Sequence, residues 1–452
     1  MATRSVDRRQ FMSVSAALGG GAWIGGAARA AEERPRGDRI RFACIGVGGK
    51  GEGDAADAAR FGDVVAICDV DELRLAAASA THPQARKYKD WRRLLDEMHA
   101  SIDAVTISTP DHSHAVAAAA AMRLGKHAFV QKPLTHSIYE ARVLGQIARE
   151  QKVATQMGNQ GTAHANLRKA AAMVQAGVVG PVREVYVWTN RPIWPQGGAR
   201  PAAKPQPPHV DWDLFIGPAP FRPFGDNYHP FDWRGWWDFG TGALGDMGCH
   251  VMNMPFMALD LRHPASVQAE TSGHNRDSFP AKARVTYKFG ATDRRPAVAL
   301  HWLDGGHKPP QELLARLLPA GDEGRPEGPP AFSDNGALLI GDNGLLYSPS
   351  STGAEFQLSG VEPVPASIRE PMNHFEEFVS AAQGGEPAKA NFPDYASPLT
   401  ETVLLGNLAV WAASEANVPG KTIEWDADRL TAPNAPELAP LIRRELRDGY
   451  TL

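Results

Sequence analysis

The chain has 452 residues, 43% of them apolar and 22% charged, and a formal net charge of -4. It is long enough for two domains with sizeable cores, and its charge excludes a global attraction to nucleic acid or anionic lipid. Its three cysteines, Cys44, Cys68 and Cys249, form no C-x-x-C pair and suggest no disulfide scaffold. Cys44 and Cys68 fall in predicted buried strands and read as small apolar fillers, the alternative being a disulfide between them.

The first element is "SVDRRQFM" (5–12), where Arg8 and Arg9 precede a weakly apolar, Gly/Ala-rich run to Ala28. "ARAAEE" offers a small-x-small cleavage site after Ala30. Residues 1–31 therefore read as a twin-arginine export signal with a periplasmic destination, against the alternative of an ordinary N-terminus. The run is too short and glycine-rich for an anchor, so no membrane association is expected after its removal.

Strand and helix patterns then alternate. Residues 39–45, 63–71, 103–110 and 127–133 read as strands, followed by "VATQMGNQ". Helices are expected from the glycine turn to Ala59, over 72–80, 90–99 and 136–151, and in "HAVAAAAAMRLGK", which Gly125 ends. Such alternation predicts a doubly wound parallel sheet over about 38–160. A second domain, 161–417, opens with a helix near 164–177 and a strand at 183–190. It continues with "SVQAET", "ARVTYKF", "AVALHW", "GALLIGD" and "GLLYS", whose short spacing predicts a mostly antiparallel sheet. Two Pro/Gly-rich stretches, 192–223 and 305–335, read as long loops. Helices are predicted over 369–383 and 395–417, then a tail, 418–452, ending in a short charged helix.

Gly46, Gly48 and Gly51 fit G-x-G-x-x-G directly between a strand and a helix, with Gly49 inside the same turn. Such glycines allow a tight turn, close approach to a pyrophosphate and helix–strand packing. Asp69 ends the next strand, where a carboxylate accepts hydrogen bonds from both ribose hydroxyls and repels a 2′-phosphate. NAD is thus the expected cofactor, the alternative being a degenerate domain that no longer binds it.

"STPDHSHAVAAAAAMRLGKHAFVQKPL" (108–134), "ANLRKAAAMVQAGVVGPVREV" (165–185) and "GALGDMGCHVMN" (242–253) resemble the conserved segments of the Gfo/Idh/MocA oxidoreductases, in that family's order and spacing. The resemblance implies an α/β protein, with an N-terminal Rossmann domain and a C-terminal α/β domain carrying an open, mostly antiparallel sheet. It also implies a homodimer or tetramer and redox chemistry on a carbinol carbon of a sugar, glycoside or cyclitol. Lys132 falls on the lysine of the family's E-K-P motif, beside the nicotinamide, where a cation stabilises a developing alkoxide. Gln131 replaces the usual glutamate and can still hydrogen-bond the nicotinamide or its ribose. Asp246 and His250 fall on the family's Asp and His, and their spacing of four puts them on one helical face. His250 suits acid–base work on a hydroxyl; the alternative is a satisfied core histidine. An Asp/His pair can also hold a metal, but no third ligand is spaced to match, and none is expected.

Thr109, Pro110 and His114 match the loop lining the cofactor in relatives, and Asn159 lies where the domains meet. His164, Arg191, Arg234 and Asn253 are expected around the substrate. The tryptophan-rich stretch "FDWRGWWDFGTG" (231–242), with Trp194, Trp236 and Trp237, is expected to stack on sugar faces. Three functions remain open: an exported oxidoreductase with NAD recycled in its site, an NAD-dependent glycosidase similar to glycoside hydrolase family 109, and a non-catalytic NAD or sugar binder.

Overall fold

The protein is represented by a computed structural model that describes residues 39–317, 331–363, 368 and 370–452. The twin-arginine stretch lies outside the described residues. Six strands form a wholly parallel sheet: β1 (Ile40–Ile45), β2 (Gly62–Cys68), β3 (Arg86–Tyr88), β4 (Ala104–Ile107), β5 (His127–Val130) and β6 (Thr155–Met157). Their order, β3-β2-β1-β4-β5-β6, reverses direction at β1/β4, which opens a crevice at the strands' C-terminal ends. The connecting helices are α1 (Lys50–Phe61), α2 (Glu72–Thr81), α3 (Trp91–Met98), α4 (Asp111–Arg123) and α5 (Ile138–Gln151). Helix α4 begins earlier than its alanine run because Pro110 stands at its N-cap, where the fixed φ suits a helix start. Its buried alanines let it lie close to the sheet.

The second sheet contains β7 (Val182–Trp188), β8 (Ser266–Thr271), β9 (Ala283–Phe289), β10 (Val298–Leu303), β11 (Gly336–Gly341), β12 (Leu345–Ser348), β13 (Gln357–Ser359) and β14 (Ile423–Glu424). The order is β13-β12-β11-β7-β10-β9-β8-β14, and only the central β7–β10 pair is parallel. Strands β8 and β9 alternate buried and more exposed residues, as a sheet with one packed face requires. The remaining helices are α6 (Ala165–Gln175), α7 (Trp212–Ile216), α8 (Gly242–Val251), α9 (Asn253–Leu259), α10 (Gln311–Ala315), α11 (His374–Ala382), α12 (Ser397–Ala412) and α13 (Ala439–Ile442).

Helix α12 is buried on nearly every side and packs against α5, α8, β8 and β9, joining the two sheets' helical layers. Helix α11 returns to the first sheet, where Phe375 and Phe378 meet Phe42 and Phe129. Sequence spacing missed two features. Short helices α7 and α10 interrupt the stretches read as loops. The expected charged helix at the chain's end is instead the apolar turn Ala439–Ile442, with residues 443–452 non-helical. Arg444 and Arg447 there are drawn to Glu140 and Asp213, contacts that an isolated helix would not make.

Candidate active site

The glycine turn sits in the crevice between β1 and β4. Gly46 has φ +77°, and a Cβ there would fall 2.7 Å from the Ser108 backbone. A Cβ on Gly51 would fall 1.9 Å from the Gly46 carbonyl oxygen, so only glycine lets α1 approach this closely. A Cβ on Gly48 would meet the Arg74 side chain, whereas one on Gly49 would meet nothing within 4 Å. Helix α1 starts without a side-chain cap, its Gly51 and Glu52 amides turning back to the Gly48 and Gly49 carbonyls at 3.1 and 3.3 Å, and its N-terminal end is the one that favours a pyrophosphate. Asp69 is buried; its Oδ2 accepts from the Val47 amide at 2.9 Å and its Oδ1 from the Asp71 amide at 3.0 Å. Each oxygen keeps a second lone pair for a ribose hydroxyl. This cradle fits a dinucleotide.

Beneath the turn lies a residue that the sequence reading did not single out. Asp54, 1% exposed, accepts from Ser108 Oγ at 2.7 Å, from Gln131 Nε2 at 2.8 Å and from Lys50. Gln131 Oε1 faces the Lys132 amide at 3.3 Å. The Gln131 amide thus engages Asp54 through one Nε2–H and the Lys132 amide through Oε1, keeping one N–H and one lone pair for the nicotinamide or its ribose. The signal was a carboxylate on the apolar, sheet-facing side of α1. His114 is likewise internal: its ring nitrogens face the Pro133 and Thr109 carbonyls, bracing the turn that presents Lys132. Thr109 and Pro110 remain half-buried at the crevice.

Lys132 follows β5 and donates to Asp246 Oδ1 at 2.7 Å and to the Asp246 carbonyl at 2.9 Å. Asp246 and His250 lie on α8, where a Cβ on Gly248 would press on Val403 of α12 at 2.9 Å. Small residues thus let α8 lie flush on α12. Arg234 Nε and Arg191 Nε approach Asp246 at 3.6 and 3.8 Å. Burial alone would raise the Asp246 pKa, but Lys132 and Arg234 outweigh it and hold it below the ordinary carboxylate value.

Asn159, expected at the cofactor, is fully buried and contacts His250. Its Nδ2 donates to the Cys249 carbonyl, which turns Oδ1 toward His250 Nδ1 at 2.9 Å. An acceptor there requires the Nδ1–H tautomer, leaving the Nε2 lone pair available. Burial, then the charge of Lys132, pushes the imidazole pKa down to about 3 despite Asp246, so His250 is neutral around pH 7.

Several expected substrate contacts are placed elsewhere. Asn253 is fully buried, donating to Thr162 Oγ1 and accepting from Tyr395. Trp236 is buried against Tyr228, with its N–H on the Asn227 carbonyl, and Trp194 is buried with its N–H on Gln196. Trp237 stacks on Phe279 at 3.7 Å and meets Trp411. Burial of Trp194 and Trp236 corrects their assignment to sugar stacking, whereas Trp237 stays half-buried. His164 is exposed and lines a cavity of about 260 Å³ with Asp57, Gln160 and Asn373, a cavity that Lys132, Asp246 and His250 do not line. Among the described residues no group of three or more His, Cys, Asp or Glu side chains could hold a metal.

Comparison with known proteins decides the family. An oxidoreductase family pattern with an NAD-binding Rossmann fold matches residues 40–159, and that family's C-terminal alpha/beta domain matches 164–294. The chain belongs to the Gfo/Idh/MocA oxidoreductases. It is an enzyme of that family, with NAD as its cofactor. Among its relatives, a glycosyl hydrolase family 109 protein of Stenotrophomonas maltophilia is 33% identical over 137 residues, 27% of this chain and 28% of that one. Levoglucosan dehydrogenase of Pseudarthrobacter phenanthrenivorans is 25% identical over 169 residues, 36% of this chain and 34% of that one. The matched parts thus span well under two thirds of either relative. The fold is shared with the WlbA dehydrogenase of Bordetella pertussis, solved with NADH and UDP-GlcNAcA, at TM-score 0.58 and 16% identity over 86% of this chain and 100% of that one. It is also shared with an inositol dehydrogenase homolog of Azotobacter vinelandii, solved with NADH and myo-inositol, at TM-score 0.57 and 16% identity over 86% of this chain and 98% of that one.

Proposed function

We propose that this Gfo/Idh/MocA enzyme is exported, acts on a carbinol carbon of a carbohydrate and keeps its NAD bound between turnovers. The observation that carries the reading is a neutral His250, with Nε2 unengaged among the described residues, beside the Lys132–Asp246 pair. The glycine turn, the α1 N-terminus and Asp69 would hold NAD, which supplies the hydride acceptor when bound. His250 Nε2 takes the hydroxyl proton as the carbon is oxidised, and Asn159 holds the ring in the tautomer able to do so. The Lys132 ammonium stabilises the developing alkoxide, while Asp246 positions that ammonium. On reduction the same imidazole returns the proton.

The twin arginines support export of a folded, cofactor-loaded protein. Outside the cytoplasm there is no large free NAD pool, so the chemistry must return the cofactor to its starting state. Net glycoside hydrolysis is a second reading, favoured by the similarity to family 109 glycosidases. In it, transient oxidation of a ring carbon acidifies the neighbouring C–H, the aglycone leaves by elimination, water adds across the double bond formed, and the carbonyl is reduced again, so the cofactor ends as it began. The family resemblance also supports a dimer or tetramer, which sedimentation would measure.

The test follows absorbance in the reduced-nicotinamide band while glycosides, sugars and cyclitols are added. Persisting reduction indicates a dehydrogenase; released reducing sugar without it indicates hydrolysis. His250→Ala is expected to lower kcat by about 10²–10⁴-fold while leaving NAD affinity nearly unchanged. Absence of bound dinucleotide after denaturation, with no turnover, would overturn the reading.

A further inference from the structure

The charges converging on Asp246 do not balance. Lys132, Arg234 and Arg191 lie 2.7, 3.6 and 3.8 Å from its carboxylate. Among the described residues, no second carboxylate lies within 4.0 Å of any of these cations. Of the carboxyls farther out, Asp111 is buried, accepts from Thr241 and also feels the charges of Arg234 and Lys132, while Asp238 is taken by Arg200 and Arg222. Asp232, beside Arg234, makes no ion pair within 4.0 Å among the described residues, and burial raises its pKa, as it does that of Asp111, against the opposing charge of Arg234.

The two guanidiniums are also fixed in place. Arg234 lies over the faces of Trp233 and Phe231, at 4.3 and 4.6 Å, and donates to the Phe231 carbonyl at 3.1 Å. Arg191 donates to Asn190 Oδ1, and its own amide donates to Thr189 Oγ1 at 3.3 Å. Each approaches Asp246 through Nε, leaving Nη2 without a partner among the described residues. An arginine held by aromatic faces with free donors suits bidentate binding of a carboxylate or phosphate. Burial is the main cause of the depressed His250 pKa; Lys132 and Arg191 add to it and Asp246 opposes them.

We propose that the substrate is an anionic sugar, whose carboxylate or phosphate monoester is bound by Arg191 and Arg234 while its hydroxyl meets Lys132 and His250. This rests on the oxidoreductase reading above and names its substrate class. Lys132 then stays available for the alkoxide because the arginines take the fixed negative charge.

The test uses the NAD-loaded protein and matched sets of hexuronides, hexose 6-phosphates and neutral hexosides in the gluco, galacto and manno configurations. The best anionic sugar is expected to exceed its neutral partner in kcat/KM by at least 100-fold. The uronide and phosphate arms identify which anion is preferred. Arg191→Gln and Arg234→Gln are each expected to shrink that ratio at least tenfold, mainly through KM, with the Kd for NAD and the Tm close to those of the parent. Equal or better turnover of neutral sugars overturns the anionic assignment alone. So does an equal loss on both sugar classes in the arginine variants. If NAD is bound and no sugar reacts, the oxidoreductase reading falls and this assignment falls with it.

Discussion

At position 131 a single side chain changes what the neighbouring helix must supply. The resemblance places a glutamate in relatives there, and this chain has glutamine. The negative charge is instead on Asp54, whose Oδ2 accepts from Gln131 Nε2 at 2.8 Å. Restoring the glutamate alone would put two buried carboxylates in contact, where like charges oppose ionisation. Gln131→Glu is therefore expected to weaken NAD binding at least tenfold and lower Tm, and adding Asp54→Asn to recover most of both. Titration with NAD and thermal unfolding check this; independent, additive losses would show that the pair is not coupled. His250 provides the other prediction at this scale. With its pKa near 3, it needs no deprotonation between pH 5 and 8. The kcat/KM profile is expected to lack an acid limb near pH 6.5, where an ordinary imidazole would impose one. A limb at 6.5 that disappears in His250→Ala would contradict the assigned environment.

Among the elements, the segment between β7 and α8 does the least expected work. Read from its prolines it is a loop, but it returns to the first sheet as a strap. Val210 bridges to Asp71, the Asp211 amide donates to the Val70 carbonyl at 2.9 Å, and the Glu72 amide to the His209 carbonyl at 2.8 Å. His229 Nε2 adds a 2.9 Å contact to Asp71 Oδ2. The strap therefore lies at the end of β2, beside Asp69, where the ribose is expected. Helix α7 and its aromatic neighbours, Trp212, Phe215, Tyr228 and Phe239, give it a core of its own. Trp233 and Trp236 of the tryptophan-rich stretch belong to that core. Because the contact secures the ribose end, His229→Ala is expected to speed NAD release several-fold. Dialysis of loaded protein against cofactor-free buffer measures it; an unchanged off-rate would show that the strap does not retain the cofactor.

Over the whole molecule, the chain's last residues fasten its two halves. Arg444 donates to Glu140 of α5 at 2.6 Å and to the His112 carbonyl, and Glu140 is only 2% exposed. Arg447 reaches Asp213 of the strap at 2.7 Å, and its guanidinium lies 5.8 Å from the Tyr450 ring centre. Removing one partner of a buried ion pair strands the other charge, which costs roughly 3–5 kcal/mol. Arg444→Met is expected to cost somewhat less, about 2–4 kcal/mol, because Glu140 keeps the amides of His136 and Ser137. Denaturant unfolding measures this, and a loss under 0.5 kcal/mol would show that the tail is dispensable.

Much of this architecture is determined by short-range pattern. Alternating strands and helices and the glycine turn are readable because period and turn chemistry are local properties of a chain, while the Lys132, Asp246 and His250 positions came from the family resemblance. Other features are not local. Asp54 meets Gln131 across 77 residues, Asn159 meets His250 across 91, and the strap meets Asp71 across 158 at His229. Whether an indole faces a sugar or another indole, and how many cations gather on one carboxylate, depends on which surfaces close against each other. Those facts arise only when distant segments are brought within hydrogen-bond or ion-pair reach, so tertiary structure alone decided them.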